Sequence, residues 1–87
     1  MRFHGRTAFI TGAATGLGRA FARALTDDGA AVVIADVDAE KAEHTATQLN
    51  ESGGRAFAVP CDVTDEQQVE AAVAGAVARF GGIDILI

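Results

Sequence analysis

Four short apolar runs alternate with three amphipathic segments along the 87 residues, and this alternation restricts the fold more than any other feature. The runs lie at Thr7–Ile10, Ala31–Asp36, Arg55–Pro60 and Ile83–Ile87. Short continuous apolar runs are typical of strands that are buried on both faces of a sheet. Strands that alternate with helices pair in parallel through right-handed crossovers. The sequence therefore predicts an α/β fold with the order β-α-β-α-β-α-β.

The three intervening segments carry apolar residues at helical spacing and are followed by glycines. The first is expected to end before Gly29, the second to begin after an N-cap at Asp38, and the third to begin at a capping box in Thr64–Gln67. The predicted buried faces are Leu17, Phe21, Ala24 and Leu25 in the first helix, Ala39, Ala42, Ala46 and Leu49 in the second, and Val69, Val73, Ala76, Val77 and Phe80 in the third.

Charge and cysteine content exclude several classes of function. The formal net charge is −5 and the seven Lys and Arg residues are scattered, so nucleic-acid binding is not expected. A lone Cys61 allows no internal disulfide, and one Cys with two separated His residues makes no zinc pattern. The N-terminal residues lack the apolar segment of a signal peptide, and no run is long enough to cross a membrane. These features predict a cytoplasmic protein without a metal site.

Three glycines, Gly12, Gly16 and Gly18, lie in the stretch "TGAATGLG" between the first strand and the first helix. The first turn of a helix exposes backbone N–H groups that attract anions such as phosphate. By analogy with dinucleotide-binding turns, Gly12 permits the turn, Gly16 leaves room for a pyrophosphate, and Gly18 lets the helix approach the strand. The second strand ends in Asp36, whose carboxylate can accept hydrogen bonds from ribose hydroxyls. A purely structural glycine turn is the alternative.

A nucleoside-triphosphate-binding P-loop is not expected. Such a loop ends in Gly-Lys-Ser or Gly-Lys-Thr, whereas Gly18 is followed by Arg19 and Ala20.

The stretch "TGAATGLG" resembles the TGxxxGxG cofactor loop of the short-chain dehydrogenase/reductase family. Further similarities follow in order: "VVIADVD", "CDVTD" and "FGGIDILI". The resemblance implies a Rossmann-type parallel sheet with strand order 3-2-1-4 and helices on both faces. It also implies that Asp36 binds the adenosine ribose, that Val37 next to it belongs to the cofactor-binding residues, and that Asp62 and Val63 border the adenine ring. The residues expected to line the pyrophosphate are Gly12, Thr15, Gly16, Leu17 and Gly18.

The same resemblance bears on the choice between NAD and NADP. The Asp36 carboxylate would repel the 2′-phosphate of NADP. Relatives that prefer NADP place a basic residue in the glycine loop or just after the second strand. This chain has Ala14, Thr15 and Val37 at those places. NAD is therefore the expected cofactor.

The catalytic residues of the family are not found in this sequence. The family uses a Ser and a Tyr-x-x-x-Lys pair, with the Tyr as general acid/base. The chain has no Tyr, its only Lys is Lys41 on the second helix, and Ser52 follows that helix. His4, His44, Cys61 and Asp84 are each expected to be structural or solvated rather than catalytic.

The resemblance therefore predicts that residues 1–87 form the N-terminal part of a single Rossmann NAD-binding domain, truncated after the fourth strand and inactive alone. The parent protein would be an NAD(P)-dependent oxidoreductase that transfers hydride between nicotinamide and an alcohol or carbonyl substrate, and a homo-oligomer at full length. Two alternatives are a complete, non-catalytic nucleotide-binding module and an assembly domain that recruits another chain through the fourth strand.

Overall fold

A computed structural model describes residues 4–87 and confirms the predicted parallel sheet and its strand order, β3-β2-β1-β4. The strands are β1 (Thr7–Thr11), β2 (Ala31–Asp36), β3 (Arg55–Pro60) and β4 (Ile85–Leu86), and the helices are α1 (Gly16–Asp27), α2 (Ala39–Glu51) and α3 (Glu66–Phe80). The first three strands fall within one residue of the predicted bounds. Within the described residues, no helix is both long and apolar enough to cross a membrane.

Helices cover both faces of the sheet, which explains why its strands are apolar throughout. On one face, Ile10 and Ile34 pack beneath α1 and α2, with Ala22, Ala46 and Leu49. On the other face, the cluster under α3 contains Phe9, Val33, Ala35, Cys61, Ala72 and Ala76. Successive strand residues point to opposite faces, so neighbouring residues of β1 and β2 belong to different clusters. The two central strands therefore form the inner layer between the two cores.

The predicted buried face of α1 is wrong at Leu17, Phe21 and Ala24, which are exposed, and right only at Leu25. Leu17 and Phe21 are 72% and 45% exposed, whereas Ala22 is fully buried and Leu25 packs at the edge of the core. The reason is the close contact that Gly18 makes with the preceding turn, where a β-carbon would lie 2.9 Å from the Cα of Ala13. This contact fixes the rotation of α1 about its axis. Ala22 and Leu25, which lie on the same side of the helix as Gly18, therefore face the core. Sequence periodicity alone cannot specify that rotation.

Two details of α3 also differ from prediction. Its N-cap is Asp65 rather than Thr64, because the Asp65 carboxylate accepts hydrogen bonds from the N–H groups of Gln67 and Gln68. Val77 is exposed, and Ala72 and Ala76 are the fully buried positions of the helix. The helix ends at Gly81, which has a φ of 88°.

The start of α2 is confirmed, because Asp38 accepts a hydrogen bond from the N–H of Lys41 and caps the helix. Ala39 is exposed, and Thr45 takes a buried position instead.

The fourth strand is shorter than predicted. Residues 85 and 86 pair with Ala8 and Phe9 of β1, and two further backbone hydrogen bonds join Ile87 to Phe9 and Thr11. Asp84 precedes the strand, and its carboxylate accepts a 2.8 Å hydrogen bond from the N–H of Thr7. It therefore borders the strand and lies outside the paired residues.

Candidate functional site

The carboxyl ends of β1, β2 and β3 meet at one edge of the sheet and border a cleft of about 290 Å³. Such crevices beyond the carboxyl ends of parallel strands are where open α/β sheets bind ligands. Seven residues line the cleft: Thr11, Gly12, Asp36, Val37, Cys61, Asp62 and Val63. Five of these are among the predicted site residues. The other four predicted site residues lie outside the cleft lining, in the adjoining turn and at the start of α1: Thr15, Gly16, Leu17 and Gly18.

The three glycines of this turn differ in conformation and packing. Gly12 and Gly16 both have a φ of 62°, a region that other residues rarely adopt. A β-carbon on Gly16 would meet nothing within 4 Å, so that side of the turn is open. Gly18 instead packs against backbone atoms of Gly12 and Ala13. The turn is therefore open at Gly16 and closely packed at Gly18.

The N-terminus of α1 differs from the other two helix starts because it has no side-chain cap. Thr15 is its N-cap residue but makes no side-chain hydrogen bond to the helix, and no acidic residue lies in the first turn. Within residues 4–87, the N–H groups of Gly16, Leu17 and Gly18 have no acceptor. These N–H groups and the positive end of the helix dipole are suited to binding an anion.

Asp36 makes contacts that the sequence did not reveal. One carboxylate oxygen accepts a 3.3 Å hydrogen bond from the N–H of Ala14, and the other accepts a 3.0 Å hydrogen bond from the N–H of Asp38. The residue thus joins the glycine turn to the start of α2 while lining the cleft. No local pattern could have predicted its bond to Ala14, which lies 22 residues earlier.

Asp62 is held in a tight turn after β3. Its Oδ1 accepts hydrogen bonds of 2.6 Å from the hydroxyl of Thr64 and 2.9 Å from the N–H of Thr64. Both bonds favour the charged form and lower the pKa of Asp62 below its usual value. The Asp62 N–H donates to the side chain of Gln68 on α3. An ionised carboxylate therefore sits at a fixed place beside the cleft.

Two valines and a cysteine give the cleft apolar walls. Val37 and Val63 are 69% and 58% exposed, which is unusual for valine and leaves an apolar surface on the side of the cleft. Cys61 is buried, and its pKa is raised by that burial, with further contributions from Asp62 and Asp65. A planar apolar ring would fit the chemistry of these walls.

Sequence reasoning missed Thr11 and Cys61 as cleft residues. Both stand at the ends of strands, one beside Gly12 and the other beside Asp62, so strand-end position was the available signal. The other titratable candidates lie elsewhere. Lys41 makes a 4.0 Å surface ion pair with Asp38, His44 is exposed on α2, and Asp84 faces Arg6 and Thr7. None of these three lines the cleft.

Comparison with known proteins agrees with this fold. A family model described as short chain dehydrogenase matches residues 6–87. The chain is 39% identical over 87 residues to 7alpha-hydroxysteroid dehydrogenase of Escherichia coli (strain K12), covering all of this chain and 34% of that protein. It is 51% identical over 85 residues to cis-4-hydroxycyclohexanecarboxylate dehydrogenase of Sinomonas cyclohexanicum, covering 98% of this chain and 34% of that protein. The chain thus spans about a third of the length of the curated relatives it matches.

A solved structure of a 7 alpha-hydroxysteroid dehydrogenase, complexed with NADH and 7-oxo glycochenodeoxycholic acid, matches with a TM-score of 0.95 and 40% identity. The match covers 98% of this chain and 33% of that one.

Proposed function

The chain belongs to the short-chain dehydrogenase family, and we propose that its cleft binds NAD for hydride transfer in the whole protein. The observation that carries this proposal is the uncapped N-terminus of α1, which opens beside a cleft bordered by Asp36 and Asp62. Bound NAD would supply the hydride acceptor, and its reduced form the hydride donor, for an alcohol or carbonyl substrate. The residues of this chain would bind and orient the cofactor.

Each predicted site residue receives a role in this proposal. The pyrophosphate lies against the turn and the first helical N–H groups, with Gly12, Thr15, Gly16, Leu17 and Gly18 as its surroundings. The open space at Gly16 supports this role. Asp36 and Val37 contact the adenosine ribose, and Asp62 and Val63 border the adenine. The exposed valines and the fixed carboxylate support a site for a planar ring with an amino group.

We propose NAD rather than NADP as the cofactor. The Asp36 carboxylate lines the cleft, where it would face the 2′ position of the ribose. At a separation of ~4 Å and an effective dielectric constant near 20, like unit charges repel by about 4 kcal/mol before salt screening. Lys and Arg are missing from the cleft lining and could not offset this repulsion.

The whole protein's chemistry is assigned to residues outside this sequence. No residue of the cleft is proposed as catalytic, and the chain contains no Tyr that could act as the family's general acid/base. Residues 1–87 are accordingly assigned to the N-terminal part of one NAD-binding domain. A cytoplasmic location and a homo-oligomeric whole protein remain proposals that rest on the resemblance and on the single cysteine.

Titration of the chain with NADH tests cofactor binding. The chain has neither Trp nor Tyr, so the fluorescence of NADH can be followed without interference. We expect saturable binding of NADH, displacement by NAD, and weaker binding of NADPH. Thr15→Ala should weaken NADH binding without unfolding the chain, because the Thr15 side chain makes no cap hydrogen bond. The exposed Thr47 on α2 provides the matched control, Thr47→Ala.

Two results would contradict the proposal. Absence of NADH binding by the folded chain would contradict the cofactor site, and tighter binding of NADPH than of NADH would contradict the NAD preference.

Reading the coding sequence beyond Ile87 tests the assignment of the catalytic residues. A Tyr-x-x-x-Lys pair there would support it, whereas a stop codon would favour the non-catalytic module. Light scattering tests the assembly alternative, which a stable monomer would contradict.

A further inference from the structure

Ala14 lies midway between Gly12 and Gly16, and both of its backbone polar atoms are held by side chains from other elements. Its N–H donates to Asp36 at the end of β2, over 3.3 Å. Its carbonyl oxygen accepts a 2.9 Å hydrogen bond from the hydroxyl of Thr45 on α2. Ala14 is itself buried. The middle of the turn is thus fixed from two directions.

The Thr45 hydroxyl has a long-range partner rather than a local one. Thr hydroxyls within helices commonly bond to a carbonyl of the preceding turn in the same helix. The Thr45 hydroxyl instead donates to a residue 31 positions away, and the side chain is 1% exposed. A valine would have the same shape and would not carry a buried polar group. Packing alone therefore does not explain a threonine at this position.

The turn needs such an anchor because of its glycines. Gly12 and Gly16, both with positive φ, lie on either side of the segment that contains Ala14. Because glycine has no β-carbon, the backbone at both positions can adopt many conformations. Binding an anion requires the N–H groups that follow Gly16 to point to one place. A second tie lies nearby, where the Arg19 guanidinium of α1 donates to the side chain of Gln48 on α2. The turn and α1 are therefore each joined to α2 by one side-chain hydrogen bond.

We propose that Thr45, which lies outside the cleft, is a positioning residue for the pyrophosphate of the dinucleotide. The hydroxyl holds the Ala14 carbonyl and thereby sets the direction of the N–H groups at the start of α1. This inference rests on the proposed function, because it concerns the same site. It assigns to α2 a role in cofactor affinity in addition to its role in covering the sheet.

The test compares Thr45→Val with Thr47→Val, which makes the same change at an exposed position of the same helix. Calorimetric titrations measure binding of NADH, of ADP-ribose, and of adenosine, which lacks phosphate. Loss of one hydrogen bond to a buried carbonyl should weaken NADH and ADP-ribose binding by about five- to tenfold. Adenosine binding should stay within about twofold, because the turn reaches the adenosine site only through the Ala14 N–H that bonds to Asp36, whereas the pyrophosphate would lie against the turn itself. Thr47→Val should change none of the three.

A second pair of variants serves in case Thr45→Val does not fold. Thr45→Ser and Thr45→Ala differ chiefly in the hydroxyl, so the serine variant should retain the affinity for ADP-ribose that the alanine variant loses. Equal losses for adenosine and ADP-ribose would mean a general structural role and would overturn the inference, as would unchanged binding. If the folded wild-type chain binds neither NADH nor ADP-ribose, the proposed function fails and this inference fails with it. If the wild type binds and the variants bind equally well, only the inference fails.

Discussion

Gly18 of α1 lies directly against the carbonyl group of Gly12, so that a β-carbon at Gly18 would overlap the Gly12 backbone. This contact joins the first helix to the turn that precedes it. It sets the rotation of α1, brings Ala22 into the core and leaves Leu17 at the surface. One missing β-carbon therefore determines which side of the helix faces the sheet.

Replacing Gly18 by alanine should destabilise the chain by about 2 kcal/mol or more, because the neighbouring atoms are backbone and cannot move aside. Gly75 provides the matched control, since it lies inside α3 and a β-carbon there would meet nothing within 4 Å. Gly75→Ala should stabilise the chain by about 0.5–1 kcal/mol through helix propensity. Urea unfolding measures both changes. Equal effects of the two substitutions would contradict the close contact at Gly18.

The caps of α2 and α3 should each contribute measurably to stability. Asp38→Ala and Asp65→Ala both remove a carboxylate that accepts hydrogen bonds from first-turn N–H groups, at an expected cost of about 1 kcal/mol each. Asp27→Ala is the control, because within residues 4–87 the Asp27 carboxylate pairs only with Arg23, in an exposed pair at 3.8 Å that is worth about 0.5 kcal/mol or less. A Thr64→Ala variant that weakened α3 more than Asp65→Ala would contradict the observed cap.

The lowered pKa of Asp62 should depend on Thr64. Since its hydrogen bonds favour the carboxylate, their contribution to stability is present above the usual aspartate pKa of about 3.9 and is lost as the pH falls through the lower folded-state pKa. Carboxyl NMR titration should show the Asp62 pKa rising toward its usual value in Thr64→Val. Thr47→Val, at an exposed position of α2, should leave it unchanged. An unaltered pKa in Thr64→Val would contradict the assigned cause.

The Cys61 thiol should react slowly with iodoacetamide. Burial, with Asp62 and Asp65 nearby, raises its pKa and lowers the fraction of reactive thiolate. At neutral pH we expect alkylation to be several-fold slower in the folded chain than in the chain unfolded by guanidinium. Under the proposed function, NADH should slow the reaction further because Cys61 lines the cleft. Acceleration by NADH would contradict that placement. Mass spectrometry of quenched samples measures both rates.

The sequence was sufficient for the sheet and insufficient for the contacts between elements. The strands were predictable because Val32, Val33 and Ile34 are buried on both faces, and burial of that kind leaves a continuous apolar pattern. The face of α1 was not, because its rotation follows from a contact between Gly18 and Gly12 that periodicity does not record. The cap of α3 moved by one residue because Thr64 bonds to Asp62 instead.

In the candidate site, too, individual residues were predictable from the sequence and the contacts between distant residues were not. Gly12 and Asp36 carry local signals in the sequence, whereas Asp62 was expected only from the family resemblance; all three line the cleft. The hydrogen bonds of Ala14 to Asp36 and Thr45 join residues distant in the chain. Thr45 lies in a helix whose predicted buried face was mostly alanine. A single hydroxyl in such a segment does not indicate a hydrogen bond to the distant Ala14 carbonyl.

The uncapped start of α1 has a thermodynamic consequence. The aspartate caps of α2 and α3 each contribute about 1 kcal/mol to the free energy of unfolding, and α1 lacks this contribution because it has no side-chain cap. Under the proposed function, the cofactor's phosphates would supply that missing stabilisation from outside the chain. Folding and ligand binding are then linked, and a concentration of 100 times the dissociation constant would raise the unfolding free energy by about 2.7 kcal/mol. The chain's melting temperature would thus report the concentration of free dinucleotide around it.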